Sequence, residues 1–153
     1  MDIRIANASD ADAISALIGS VMHHLTIDPA GHGAEAFIAT MSPASIATTI
    51  AAPNMHYLVG FEGGVLAGAV ALRDNRHLYH LFVAPAFQRR GLATRLWQAV
   101  HDHARAHGNP GLFTVNSSIH AVPLYEALGF RATGTRTEMN GIAFLPMQLD
   151  RTM

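Results

Sequence analysis

The chain has 153 residues, half of them apolar and 14% charged, with a formal net charge of −1. That balance suits one folded domain, 1–153, with a real core; it excludes a disordered chain and lacks the basic excess of a nucleic-acid binder. Cysteine is absent, which removes disulfides, zinc–thiolate sites and thiol catalysis together.

The N-terminus MDIRIANASD has neither the basic nor the apolar segment of a signal peptide, and no apolar run approaches the roughly 20 residues of a membrane span. A cytoplasmic protein with no membrane partner is expected. Ile3 and Ile5 alternate with polar neighbours and predict a short strand. Ser9 is placed to cap a helix whose first turn holds Asp10 and Asp12, where the helix dipole favours acids. Ile14, Leu17, Ile18 and Val21 continue it at helical spacing, and HHLTIDPAGHG, His23 to Gly33, then reads as a loop. A second helical region is expected over 34–52, interrupted near Pro43.

From Met55 the pattern changes to strands. MHYLVGFE and VLAGAVAL meet at Gly63-Gly64, a hairpin signal, and RDNR turns the chain into a third strand, Leu78 to Val83. An amphipathic helix follows, about Leu92 to His107, with Leu92, Leu96 and Val100 at four-residue steps. Gly108-Asn109-Pro110-Gly111 ends it, and LFTVN, Leu112 to Asn116, is a strand; strand, helix and strand in this order make a right-handed crossover with parallel strands. A short helix from Pro123 to Leu128 stops at Gly129. Two closing strands, about 131–139 and 142–149, are joined at Asn140-Gly141. The fold class is therefore α/β of the α+β type: a mixed, mostly antiparallel sheet with one parallel β-α-β crossover.

The stretch FVAPAFQRRGLATRL, Phe82 to Leu96, carries the chemistry. It is the strand-to-helix junction of the crossover, where the first helical amides lack internal partners and the dipole favours an anion. Gly91 lets backbone approach a ligand, Ala93 keeps bulk away, and Arg89, Arg90 and Thr94 add charge and a hydroxyl donor. From spacing alone, a tight turn with two solvated arginines explains it equally well. Neither the Walker loop nor the G-x-G-x-x-G fingerprint is present. His103 and His107 stand at i, i+4 on the long helix, but no carboxylate completes an H-E-x-x-H pattern, so no metal is expected.

Gln88-Arg89-Arg90-Gly91-Leu92-Ala93 resembles the Q/R-x-x-G-x-G/A motif of the GNAT acyl-CoA N-acyltransferases. Asn116 closes the next strand, and AVPLYEALGF, Ala121 to Phe130, is similar to that family's A-x-x-x-Y-x-x-x-G-F segment. The element order agrees over about residues 2 to 149. The resemblance implies a GNAT fold and an N-acetyltransferase that uses acetyl-CoA as cosubstrate, needs no metal, and acetylates a small-molecule or peptide amine by direct attack. It leaves room for a homodimer.

Residue by residue, the resemblance implies that the backbone of Leu81, Phe82 and Val83 bonds the pantetheine arm at an edge splayed by a bulge. Gln88 opens the motif, and the amides of Arg89, Arg90, Gly91, Leu92, Ala93 and Thr94 would hold the pyrophosphate. Asn116, helped by Ser118, would bond the pantetheine from the neighbouring strand, and Tyr125 would serve as general acid toward the thiolate. His23 and His24 belong to the loop that lines the acceptor pocket in this family.

The reaction also needs a base. The family often places a glutamate on the strand before the turn; this chain has His77 and His80 there instead. Period-2 alternation puts them on opposite faces, a bulge would break that phase, and the sequence does not choose between them or a water chain. The missing glutamate also keeps open an alternative reading, a non-catalytic acyl-CoA-binding module of the same fold.

Overall fold

A computed structural model describes residues 1–152. Strand β1 (Asp2–Ile5) leads into helices α1 (Ala11–Val21), α2 (Glu35–Ala39) and α3 (Pro43–Ala51). Strands β2 (Met55–Glu62), β3 (Val65–Arg73) and β4 (His77–Val83) follow, then α4 (Leu92–Ala106), β5 (Leu112–Ser118) and α5 (Val122–Ala127). Strands β6 (Arg131–Ala132), β7 (Thr137–Met139) and β8 (Ile142–Asp150) close the chain. The sheet order is β1-β2-β3-β4-β5-β8-β6, with β7 also on β8, and only β4 and β5 pair in parallel.

Local chemistry explains most boundaries. The cap before α1 is Asn7, not Ser9: Asn7 accepts from the Ser9 amide while Asp10 reaches back to the Asn7 amide at 2.8 Å, so a 3-10 turn precedes the helix. Asp10 is also gripped by both terminal nitrogens of Arg4 at 2.8 Å, and that bond holds its carboxyl below the usual carboxylate range. Pro43 starts α3 at a first-turn position, with Ser42 as the cap. The strand expected over 131–139 is two short pieces, because residues 133–136 leave the ladder on β8.

Two cores flank the sheet. Under α4, Leu96, Trp97 and Val100 pack on Val70, Leu72, Leu78 and Phe113. Under α1 and α3, Ile14, Ile18 and Ile46 pack on Tyr57, Val59, Ala69 and Ala71. Each large buried aliphatic contributes roughly 1.5–3 kcal/mol, which makes these the rigid supports of everything between them. Gly68 sets the height of α4: a Cβ there would lie 2.6 Å from Leu96 and 2.9 Å from the Phe82 carbonyl.

Two irregularities in β4 shape the functional region. Ala71 pairs with His80 and Leu72 with Leu78, so Tyr79 is an extra residue, a bulge. On its other side β4 pairs with β5 only at His77–Thr114 and Leu78–Val115. Beyond that point the two parallel strands part.

Candidate active site

The parting of β4 and β5 opens a cavity of about 550 Å³ that is lined from both faces of the sheet. On the α4 side its wall is formed by Leu81, Val83, Gln88, Ala93 and Tyr125. On the α1 side it is formed by His24, Phe37, Met41, Tyr79 and Phe82, with Ile142 and Phe144 from β8.

The turn into α4 is built for backbone exposure. A 3-10 turn, Pro85–Phe87, ends at Gln88, whose side chain donates to the Val83 carbonyl at 3.0 Å. Arg89 and Gly91 then adopt left-handed backbone, φ 64° and 74°. That reversal aims the chain into α4 with Gly91 at the cap position and no side chain on the first amides. The amides up to Thr94 therefore face outward without helical partners. A Cβ at Gly91 would meet nothing within 4 Å, so the space above the turn is open. Arg90 lies over the Phe87 ring, 5.6 Å from its centre, while Gln88 and Ala93 reach the cavity wall.

Tyr125 sits in α5, packed edge-on against Phe130 with ring centres 5.5 Å apart. It is 5% exposed yet lines the cavity. Burial raises its pKa well above the ordinary phenol value, so the hydroxyl keeps its proton at neutral pH. Asn116 is exposed on the opposite wall. The Ser118 hydroxyl is occupied locally, accepting from the Ala121 amide at 3.2 Å as the cap of the turn before α5.

The bulge decides the histidines. Tyr79, His80 and Phe82 share the α1 face, with His80 and Tyr79 rings stacked 4.5 Å apart, while Leu78, Leu81 and Val83 face α4. His80 is 3% exposed; its Nδ1 lies 2.8 Å from the Tyr57 hydroxyl, and its Nε2 is buried without a partner among the described residues. Burial lowers its pKa to about 3, so the ring is neutral. His77 is only half-buried, with Nδ1 fixed 2.8 Å from the Thr114 hydroxyl on β5. Desolvation lowers its pKa, and the nearby Arg73 and Arg76 guanidiniums add to the effect.

Of the loop histidines, His24 lines the cavity, and His23 stands behind it with its ring 4.0 Å away. His120, which the sequence did not single out, stacks on His24 at 3.8 Å and joins the wall. Arg73, Tyr79 and Phe144 were likewise unmarked: they lie on separate strands, and only sheet register brings them together. His103 and His107 are stacked 4.0 Å apart on α4 with His56 beyond, away from the cavity. Among the described residues no group of three or more His, Asp or Glu is arranged to hold a metal, and no helix is long and apolar enough to cross a membrane.

Comparison with known proteins adds four findings. A family model described as an acetyltransferase (GNAT) domain matches residues 25–151. A probable N-acetyltransferase family 8 member 5 from Mus musculus is 34% identical over 105 residues, covering 60% of this chain and 46% of the relative. The N-alpha-acetyltransferase RimI of Mycobacterium tuberculosis is 32% identical over 101 residues, covering 61% of this chain and 63% of the relative. The matched stretch thus spans about half to just under two thirds of these relatives. The crystal structure of PaiA N-acetyltransferase from Thermoplasma acidophilum in complex with coenzyme A has a similar fold, with TM-score 0.78 and 15% identity over 96% of both chains.

Proposed function

The chain belongs to the GNAT acetyltransferase family, and we propose that it is a single domain of that type, 1–153, which moves an acetyl group from acetyl-CoA to a primary amine. The observation that carries this reading is one continuous cavity joining an uncapped helix start, a strand edge released by the β4–β5 parting, and a protonated tyrosine. The outward amides of 89–94 suit a pyrophosphate, and no Asp or Glu stands among the described residues that line the cavity to repel one. The released edge of Leu81, Phe82 and Val83 and the exposed Asn116 suit the amides of a pantetheine arm. Acetyl-CoA supplies an acyl carbon already activated as a thioester.

The remaining chemistry falls to side chains. The amine attacks the acyl carbon directly; a C–N bond forms, the C–S bond breaks, and the thiolate takes its proton from Tyr125. With no cysteine in the chain, an acyl-cysteine route is closed. The amine must lose a proton, and His77 is the better acceptor of the two strand histidines. Its Nδ1 is held by Thr114, and the ring stays partly accessible and neutral near pH 7. His80 is sealed from solvent and too weakly basic to hold a proton, which suits it to support Tyr79 instead.

The test is a thiol-release assay with acetyl-CoA over a panel of primary amines, using Tyr125→Phe and His77→Gln. Each variant should lower kcat by about 100-fold, with the acetyl-CoA KM little changed. Unchanged turnover would remove that residue from its role. Stabilisation by acetyl-CoA without turnover of any amine would favour a non-catalytic acyl-CoA-binding module.

A further inference from the structure

The α1-side half of the cavity differs in character from the half assigned to the cofactor. Its walls are largely apolar: Leu25, Phe37, Met41, Met139, Ile142 and Phe144 all contribute. Its charge is one-sided. Among the described lining residues Arg73 is the only Arg, and none is Asp or Glu.

Arg73 is also uncommitted. Its guanidinium lies over the Tyr79 ring, 5.3 Å from the centre, and it donates no hydrogen bond among the described residues. The nearest carboxylate, Asp74, is 4.0 Å from Nε, and its side chain is 65% exposed. Arg4 is the contrast in the same molecule, with both terminal nitrogens on Asp10 at 2.8 Å. A guanidinium fork held on an aromatic face with its donors free is a receptor for a carboxylate.

The roof of this half is fastened down. The Ile27 amide donates to the Gly141 carbonyl at 2.9 Å, and Thr26 bridges Ile142. A Cβ at Gly141 would lie 2.4 Å from the Gly33 carbonyl oxygen, so the loop after α1 and the β7–β8 hairpin meet backbone to backbone. The stacked His24 and His120 form the adjoining stretch of wall. That fixed, largely apolar wall suits an acceptor with an apolar body.

We propose that the acceptor is a small monoamine with an apolar body and a carboxylate, such as an apolar α-amino acid, whose carboxylate is bound by Arg73 on the Tyr79 ring. This rests on the acetyltransferase reading above. Polyamines are disfavoured, because each additional ammonium entering an apolar wall needs an anionic partner that the lining does not offer. A peptide N-terminus is disfavoured because its first carboxyl is an amide and leaves Arg73 unanswered.

The experiment measures kcat/KM with acetyl-CoA for phenylalanine, phenylalaninamide, phenethylamine, spermidine and a tetrapeptide beginning with phenylalanine. Acetyl-CoA binding is followed separately by thermal shift. Phenylalanine should exceed phenylalaninamide, phenethylamine and the tetrapeptide by about tenfold or more, with spermidine near background. Arg73→Gln should collapse the ratio of phenylalanine to phenethylamine toward one while the acetyl-CoA thermal shift persists. The proposal is overturned if spermidine or the tetrapeptide is the best acceptor, or if the ratio survives Arg73→Gln. Binding of acetyl-CoA with no turnover of any of the five overturns it too. Absence of acetyl-CoA binding would instead bring down the underlying acetyltransferase reading.

Discussion

On the α4 side of the β4–β5 gap the cleft offers backbone: the outward amides of 89–94 and the edge of 81–83 that β5 leaves, where the Val83 carbonyl accepts from Gln88. On the α1 side it offers side chains, drawn from the loop after α1, from α2, from β3, β4 and β8, and from the turn before α5. The first half is set by the conformation of one continuous stretch, residues 81–94. The second exists only once segments more than a hundred residues apart have packed. A backbone site is broken by obstruction and tolerates loss of side-chain charge. A side-chain site responds to single deletions.

The largest expected effect therefore comes from obstructing the backbone half. Gly91→Glu puts a carboxylate over the turn and should weaken acetyl-CoA binding by about 100-fold or more in calorimetry. The fold should survive it: a Cβ there meets nothing within 4 Å, and the left-handed φ of 74° costs only about 1–2 kcal/mol. A smaller effect concerns stability against pH. His80 has a folded pKa lowered to about 3 from 6.5, so the unfolded chain binds its proton more readily. The stability it contributes is complete above pH 6.5 and is lost as pH falls toward 3. Thermal melts of His80→Gln should fall less steeply than wild type across that window; parallel curves would mean that His80 is not held neutral. The smallest effect should be Arg89→Ala. Its side chain is exposed and the amides remain, so acetyl-CoA affinity should drop less than about tenfold. A loss equal to that of Gly91→Glu would erase the distinction between the two halves.

The same contrast explains what could be read from the sequence. Gln88 to Ala93 and Tyr125 to Phe130 are contiguous, and their order of strand, turn and helix follows from periodicity and glycine placement. Both segments were legible for that reason. The face of His80 was not: one extra residue, Tyr79, reverses the alternation on which such a reading depends. The His24–His120 stack joins a loop to a turn nearly a hundred residues later, and no local pattern announces it. Arg73 reads as one residue of a turn until β3 and β4 register lays it over Tyr79. At the N-terminus the misplacement was smaller, a cap expected two residues too late at Ser9, because Asp10 turns back to the Asn7 amide and to Arg4.

The division of the cleft can be tested most directly by following backbone amide resonances during a titration with coenzyme A. The largest shifts should fall on Arg89 to Thr94 and on Leu81 to Val83, with His24, Phe37, Arg73 and Ile142 nearly unmoved. Shifts centred on those four residues, with the turn before α4 silent, would contradict the account.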